Sequence, residues 1–157
     1  LIQSGTLIEK MSKELLLLQI GRAGASKAPG PDGITNDILK LLPDEVYDLM
    51  LKIFKELAQY GFVPDEWRHS ITVPLYKGKG DPNSMGSYRP ISLMSCPYKI
   101  YTGLITTIIT EMAEGYCLLS EAQEGFRSNR RTHRQILWLQ GLLEDANLSM
   151  SVIHRLD

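Results

Sequence analysis

The sequence has little cysteine, no long apolar run and almost no net charge. Its two cysteines, Cys96 and Cys117, lie far apart with no metal-binding spacing, which disfavours a disulfide framework or a zinc site and indicates a reducing compartment. No stretch approaches the ~18 apolar residues of a membrane span, and no signal-peptide pattern is present, so we expect an intracellular protein without membrane contact. The formal net charge of −1 argues against a uniformly basic nucleic-acid surface, so a basic face must come from local clustering.

The length of 157 residues predicts one domain, and the apolar patterning predicts a helix-rich α+β fold. Apolar residues at spacings of three and four indicate helices, whereas β-branched and aromatic runs between turn residues indicate strands. The predicted helices cover residues 6–22, 35–42, 44–60, 98–114 and 132–147, and the predicted strands cover residues 69–76, 88–93 and 149–156. The first two strands should form a hairpin, in which Pro74 marks an edge strand or a bulge.

The loop of residues 23–34 is dense in proline and glycine, which excludes a regular helix or a central strand there. Within it, Asp32 is interpreted as a turn-forming residue, because the neighbouring sequence offers no acid–base partner. Trp67 is interpreted as a core residue rather than a stacking platform. Asp44 is expected to cap the following helix, whose buried stripe should comprise Val46, Leu49, Met50, Ile53 and Leu57.

The turn of the predicted hairpin is cationic. Lys77 leaves the first strand, Lys79 lies in the turn, and Arg89 enters the second strand. Lysine offers a mobile charge and arginine a planar fork, so such side chains can converge on one phosphate group. Gly78 and Gly80 would allow a close approach of the backbone. A solvated, charged hairpin tip without a ligand fits the same spacing.

A second basic cluster precedes the predicted helix of residues 132–147. Four arginines and His133 fall within eight residues, next to Phe126. Clustered arginines and a helix N-terminus both favour a phosphate backbone. A solvated, basic helix start is the alternative interpretation. The four arginines are Arg127, Arg130, Arg131 and Arg134.

Six motifs follow one another along the chain: Lys-Ala-Pro-Gly-Pro-Asp-Gly-Ile (27–34), Pro-x-x-Trp (64–67), Val-Pro-Leu-Tyr-Lys-Gly-Lys-Gly-Asp (73–81), Tyr-Arg-Pro-Ile-Ser-Leu (88–93), Tyr-Lys-Ile (98–100) and Gln-x-Gly-Phe-Arg (123–127). In their order and spacing they resemble the reverse transcriptases of non-LTR (LINE-type) retrotransposons. The resemblance covers about residues 23–157, which are expected to form an incomplete reverse transcriptase domain. Residues 1–22 are expected to form a leading helix.

The resemblance implies a right-hand polymerase, of which this chain would be the fingers subdomain with its β-hairpin and the first palm strand. In such enzymes the hairpin faces the triphosphate of the incoming nucleotide, which implies nucleotide-binding roles for Lys77, Lys79 and Arg89. The Gln-x-Gly-Phe-Arg region lies near the template and primer, which implies contacts by Gln123, Phe126, Arg127, Arg130 and Arg131.

The resemblance also implies that Asp157 is the first catalytic aspartate and a metal ligand. His154 and Arg155 interrupt the apolar run that normally leads to this residue in the family. Two-metal phosphoryl transfer needs several carboxylates around two Mg²⁺ ions, and the Asp-Asp pair of the palm does not occur in this sequence. Both ends are interpreted as cuts in a longer reading frame, so the chain is expected to be an inactive fragment.

For the complete enzyme the resemblance implies Mg²⁺ as cofactor, an RNA template, a DNA primer and dNTPs as partners, and activity in the nucleus. No Mg²⁺ is expected to stay bound to the fragment, and no obligate protein partner can be inferred. Two alternatives remain open. One is a non-enzymatic nucleic-acid-binding remnant of a degenerate or domesticated element, and the other is a related intron-encoded reverse transcriptase.

Overall fold

The computed structural model describes residues 4–153, which form six α-helices, one β-hairpin and two short 3₁₀ turns. The helices are α1 (Ser4–Lys10), α2 (Lys13–Arg22), α3 (Asn36–Lys40), α4 (Asp44–Tyr60), α5 (Cys96–Gly115) and α6 (Thr132–Ile153), and the strands are β1 (Ser70–Tyr76) and β2 (Tyr88–Met94). The chain divides into two units, residues 1–112 and 113–157, and the division falls within α5. The predicted α+β character is confirmed. No helix within residues 4–153 has both the length and the apolarity that a membrane crossing needs.

A cluster of buried apolar side chains holds the first unit together. Helix α2 contributes Leu16, α3 contributes Leu39, and α4 contributes Phe54. Helix α5 adds one face with a spacing of four residues, namely Ile100, Leu104, Ile108 and Met112. Each fully buried side chain of this size contributes roughly 1.5–3 kcal/mol relative to an exposed one, so these helices are stabilised mainly by one another.

Trp67 packs against this core, which confirms its interpretation as a core residue. It lies in the short 3₁₀ turn Asp65–Arg68. Its ring centroid is 6.1 Å from that of Phe54, 5.6 Å from that of Tyr98 and 5.9 Å from that of Tyr101. The tilted and edge-on ring pairs are the arrangements that aromatic quadrupoles favour. This aromatic group therefore joins the turn before the hairpin to α4 and α5.

The continuous helix predicted for residues 6–22 is wrong, because the chain breaks between α1 and α2. Ser12 has an extended backbone with φ −108° and ψ 161°, and its Oγ accepts a hydrogen bond from the N–H of Leu15 at 3.2 Å. A serine side chain that bonds the backbone in this way starts a helix rather than continuing one. The break also leaves Met11 buried in the core.

The capping role predicted for Asp44 is wrong as well. Pro43 occupies the N-cap position of α4, where no side chain makes a capping bond, and Asp44 is the first helical residue. Its carboxylate instead accepts a hydrogen bond from Nζ of Lys13 at 2.7 Å, and Asp48 lies 2.8 Å from the same ammonium. Two carboxylates in the first turns of α4 also suit the positive end of the helix dipole.

The buried face of α4 differs from the predicted stripe. Leu57 is buried as expected, but Leu49 and Ile53 are exposed, and Tyr47 and Phe54 take the inner positions. The hydroxyl of Tyr47 donates a buried hydrogen bond to the carbonyl of Leu39 at 2.9 Å. Because tyrosine buries its ring when its hydroxyl finds a partner, this bond and the Phe54 ring pairs set the rotation of the helix.

The strand predicted for residues 149–156 is wrong as far as the structure describes it, because residues 149–153 continue α6. Residues 154–156 lie outside the described residues. Helical hydrogen bonds are local, whereas a strand needs a partner strand. Within residues 4–153 the sheet contains β1 and β2 alone, so residues 149–153 have no strand to pair with.

The hairpin follows the prediction closely. Strands β1 and β2 pair antiparallel without a bulge, from Ser70 opposite Met94 to Tyr76 opposite Tyr88. Pro74 lies directly opposite Pro90, and both strands are edges of the two-stranded sheet. The edge-strand interpretation of Pro74 is therefore confirmed.

Residues 24–35 form the predicted irregular loop. Oδ1 of Asp32 accepts a hydrogen bond from the N–H of Ile34 at 3.2 Å, so this residue forms a turn as expected. Oγ1 of Thr35 accepts one from the N–H of Ile38 at 3.3 Å and caps α3.

Candidate nucleotide and nucleic-acid interfaces

The tip of the hairpin is an ordered turn. Beyond the pair of Tyr76 and Tyr88, the N–H of Lys77 donates to the carbonyl of Ser87 at 2.9 Å, which extends the ladder by one residue. Gly78 and Gly80 have φ of +75° and +88°, values that favour glycine. A Cβ on Gly80 would also lie 2.6 Å from Oγ of Ser87. Both glycines of the predicted cationic turn are therefore needed for its shape.

Two tyrosines fasten the turn to the strands. Tyr76 donates its hydroxyl hydrogen to the carbonyl of Gly80 at 2.7 Å, and Tyr88 donates to the carbonyl of Pro82 at 2.9 Å. Their rings lie 5.4 Å apart across the ladder. Sequence reasoning did not assign these tyrosines a role, although two aromatic residues that flank a glycine-rich turn are a signal that could have found them.

Lys77 and Arg89 share one face of the hairpin. Arg89 is opposite Leu75, and the ladder bond from Lys77 places Lys77 opposite Ser87. Side chains alternate along a strand, so Lys77 and Arg89 are diagonal neighbours on the same face, about 7–8 Å apart at the backbone. Nζ of Lys77 donates to the carbonyl of Gly86 at 2.7 Å. An ammonium has three donor hydrogens, so Lys77 retains donors for an anion.

The tip cations are exposed, and Lys79 lies between the two positive-φ glycines. A long, flexible anion such as a polyphosphate can span two cations at this separation, since guanidinium and ammonium groups both bind phosphate oxygens. The convergence of Lys77 and Arg89 on one anion stays a prediction, for which their shared face leaves room.

The second basic cluster has a different construction. Arg127 forms a two-pronged ion pair with Glu114, with Nε 2.9 Å from Oε1 and Nη2 2.7 Å from Oε2. Nη1 of Arg127 also donates to the carbonyl of Ser120 at 2.8 Å. Its side chain is only 9% exposed. Arg127 therefore ties the loop between α5 and α6 to the end of α5.

Arg130 makes a similar set of contacts. Its Nη2 lies 2.7 Å from Oε2 of Glu121, and its Nη1 lies 3.2 Å from Oε1 of Glu124. Arg134 adds a looser contact to Glu124 at 3.6 Å. Three glutamates thus approach three of the four arginines, so the local charge is much lower than the arginine count indicates. Sequence reasoning did not connect these glutamates to the arginines.

The ion pairs shift the acidity of both partners. The hydrogen bond from Arg127 holds the pKa of Glu114 below its ordinary value, and the one from Arg130 does the same to the pKa of Glu121. In return, the hydrogen bonds from Glu114 and Glu121 raise the pKa values of Arg127 and Arg130. All four groups are therefore charged at neutral pH.

The same loop presents other candidate residues to solvent. Phe126 is fully exposed and has a φ of +61°, a conformation that is uncommon for a bulky side chain. Arg131 is exposed just before α6. Nε2 of Gln123 donates to the carbonyl of Gly125 at 3.2 Å. An exposed aromatic ring and an exposed cation in one loop are the kinds of side chain that bind a nucleobase and a phosphate.

Asp157, the expected catalytic aspartate and metal ligand, lies outside the described residues. Within residues 4–153, no three His, Cys, Asp or Glu side chains converge as metal ligands. The described candidates thus form two groups, one at the hairpin tip in the first unit and one in the loop of residues 116–131 in the second.

No family model matches the chain. The chain is similar to three Drosophila melanogaster proteins. It is 32% identical over 117 residues to the probable RNA-directed DNA polymerase from transposon X-element. It is 29% identical over 117 residues to the RNA-directed DNA polymerase from mobile element jockey, and 27% identical over 135 residues to the probable RNA-directed DNA polymerase from transposon BS.

These matches cover 74%, 74% and 86% of this chain. The chain spans only 13–15% of the length of these relatives. The similarity therefore agrees with the family that the motifs indicate, and it extends over one segment of each of these relatives. The chain is homologous to a segment of the RNA-directed DNA polymerases, or reverse transcriptases, of non-LTR retrotransposons.

Proposed function

We propose that this chain is the fingers part of an RNA-directed DNA polymerase and supplies contacts to the incoming nucleotide and to the template and primer. The observation that carries the proposal is the placement of Lys77 and Arg89 on one face of an ordered hairpin tip. Residues 23–157 would belong to the polymerase domain, and residues 1–22 would precede it. The parent enzyme would act in the nucleus.

At the hairpin, Lys77, Lys79 and Arg89 would bind the triphosphate of a dNTP. Arg89 offers two parallel N–H groups to one phosphate, and Lys77 adds a point charge beside it. The positive-φ glycines and the two tyrosine hydroxyl bonds hold the turn before the nucleotide arrives. Such preorganisation lowers the entropy cost of binding.

In the loop before α6, the ion pairs distinguish residues that would bind nucleic acid from residues that would stabilise the loop. Phe126 and Arg131 would face the template and primer, the ring by stacking on a base and the guanidinium by pairing with a phosphate. Arg127 and Arg130, whose charges are paired with glutamates, would mainly hold the loop in shape. Gln123 would contribute an amide contact to the strand.

The 157-residue polypeptide by itself should bind substrates without joining nucleotides. In the parent enzyme, Asp157 would be the first of the carboxylates that hold Mg²⁺, and the ions would activate the attacking oxygen and stabilise the leaving one. No Mg²⁺ should remain stably bound to this polypeptide. Primer extension by the purified chain with Mg²⁺ and dNTPs would contradict this part of the proposal.

Removal of the hairpin arginine tests the nucleotide contact. Arg89→Ala should weaken the binding of Mg·dATP by the 157-residue chain roughly tenfold, since a hydrogen bond to a charged group contributes about 1.5–3 kcal/mol at most sites. Binding can be followed through the NMR shifts of the amides at the tip. Lys52→Ala removes an exposed cation from α4 and is the matched control.

Equal affinities of the Arg89→Ala and Lys52→Ala chains would overturn the nucleotide assignment. Phe126→Ala tests the strand contact in the same way, with a single-stranded RNA oligomer as the ligand. If that variant binds the oligomer as tightly as the unmodified chain does, the template assignment fails.

A further inference from the structure

The hairpin extends from the first unit with little lateral support. Every residue of β1 is exposed, and in β2 only Tyr88, Leu93 and Met94 are partly buried. Leu93 and Met94 lie at the base, where β2 enters α5. The direction in which the hairpin points is therefore determined at its base.

The glycine-rich loop before α3 packs on that base. A Cβ on Gly30 would overlap the carbonyl carbon of Met94 and the backbone nitrogen of Ser95. Two backbone segments can approach this closely only where one of them lacks a side chain. Gly30 thus places the loop directly against the junction between β2 and α5.

A hydrogen bond joins the same two segments. The hydroxyl of Ser95 donates to Oδ2 of Asp32 at 2.6 Å, and Ser95 is only 1% exposed. The carbonyl of Ser95 accepts the N–H of Lys99 at 3.1 Å, so Ser95 stands at the start of α5. The carboxylate of Asp32 therefore lies near the positive end of the α5 dipole, which strengthens the contact.

We infer that Gly30, Asp32 and Ser95 are positioning residues that set the angle of the hairpin, and through it the reach of Lys77 and Arg89. What the tip binds rests on the proposed function, but the control of its angle does not. Seven residues of β1 at ~3.3 Å each span about 20 Å, so a tilt of about 10° at the base would move the tip by about 3.5 Å.

A displacement of this size matters for a phosphate contact. Charge-assisted hydrogen bonds need donor and acceptor within about 2.7–2.9 Å, and a misplacement of about 1 Å can lower a reaction rate by roughly a hundredfold. The second carboxylate oxygen of Asp32 bonds Ile34 within the loop. Asp32 thus links the fold of the loop to the direction of the hairpin.

Distance measurements between spin labels test the angle directly. The labels are attached at Lys79→Cys on the tip and Lys52→Cys on α4 of the full 157-residue chain, with the exposed Cys117 changed to Ser and the buried Cys96 kept. Asp32→Ala should broaden or shift the distance distribution by about 3 Å or more, as expected for a tilt of about 10°.

The control is Asp37→Ala. Asp37 accepts a hydrogen bond from the N–H of Ser26 at 2.9 Å, so this variant removes a comparable bond of the same loop that does not touch the hairpin. Asp32→Asn keeps one oxygen to accept from the N–H of Ile34, and its amide N–H can donate to the Ser95 hydroxyl oxygen, so this variant should restore the narrow distribution. Ser95→Ala removes the donor and should reproduce the effect of Asp32→Ala. Identical distributions for Asp32→Ala and Asp37→Ala overturn the inference.

Titration with Mg·dATP then separates the two proposals. If Arg89→Ala and Asp32→Ala both lower the affinity, by roughly tenfold for one lost hydrogen bond, while Asp37→Ala does not, both proposals stand. If Arg89→Ala alone lowers it, the proposed nucleotide contact stands and the positioning role fails. If Arg89→Ala has no effect, the nucleotide contact fails, and the spin-label distances still decide the role of Asp32.

Discussion

The hairpin tip and the loop before α6 are both rich in cations, but the two regions use them differently. At the tip, backbone and tyrosine hydrogen bonds maintain the shape, and Lys79 and Arg89 extend from it into solvent. In the loop, Arg127 and Arg130 maintain the shape by pairing with glutamates. A cluster of basic residues therefore does not by itself define an anion site, because acidic residues brought in by the fold decide how much charge remains.

The largest expected effect comes from removing the arginine that holds the loop. Arg127→Ala eliminates the paired bonds to Glu114 and the bond to the carbonyl of Ser120, so local opening should become easier. Amide hydrogen exchange of Cys117, Leu118 and Gln123 should accelerate by roughly tenfold or more.

Arg131→Ala is the control for this experiment, since it removes an exposed cation from the same loop. It should leave those amides unchanged. If the two variants exchange alike, Arg127 does not hold the loop, and the contrast with the hairpin tip disappears.

A smaller effect, on the free energy of unfolding, is expected when a methyl group is added to a glycine of the hairpin tip. Gly80→Ala forces a side chain into a φ of +88° and against Oγ of Ser87, which should lower the free energy of unfolding by about 1 kcal/mol or more. Gly86→Ala is the matched control, because its added Cβ would meet only Oγ of Ser84, at an ordinary 3.6 Å.

Urea unfolding of the two glycine variants measures the difference. A Gly80→Ala chain as stable as the Gly86→Ala chain would show that the tip does not depend on its backbone conformation. The comparison between a backbone-held tip and an ion-pair-held loop would then need revision.

The smallest effect is a dependence of the loop on pH. Because arginine partners lower the folded-state pKa of Glu114 and Glu121, their pairing stabilises the loop above the ordinary glutamate pKa of 4.5. That stabilisation is lost as the pH falls through the lowered, folded-state values. Hydrogen exchange of the Leu118 amide, corrected for its intrinsic pH dependence, should show the loss. Glu114→Gln should weaken this response, and an unchanged response in that variant would contradict the assignment.

The hairpin could be predicted from the sequence because its signals are local. Runs of β-branched and aromatic residues indicate the strands, glycines indicate the turn, and Pro74 marks an edge. The helix break at Ser12 could not be predicted, because the surrounding residues follow a helical pattern. The hydrogen bond from the N–H of Leu15 to the Ser12 side chain starts a new helix at this point. The rotation of α4 depends on a bond between Tyr47 and Leu39, which helical periodicity does not encode.

The candidate sites show the same difference between local signals and contacts of residues that are distant in the sequence. Local charge clustering and the family resemblance indicated the basic residues of both regions, and the register of the hairpin places Lys77 and Arg89 on one face. The pairing of Arg127 with Glu114 joins residues 13 positions apart, and that of Asp32 with Ser95 joins residues 63 positions apart. Such contacts depend on how the chain folds back, so the sequence pattern could not separate structural cations from available ones.

The pairing of Pro74 with Pro90 has a consequence for the behaviour of the protein at high concentration. Hydrogen-bonded and non-bonded pairs alternate along an antiparallel ladder, and the bond from Lys77 to Ser87 makes the proline pair one of the non-bonded kind. In such a pair the backbone nitrogens point outward, away from the partner strand. Each outer edge of the hairpin therefore lacks a donor at its middle, which obstructs the addition of further strands and guards an exposed sheet against aggregation.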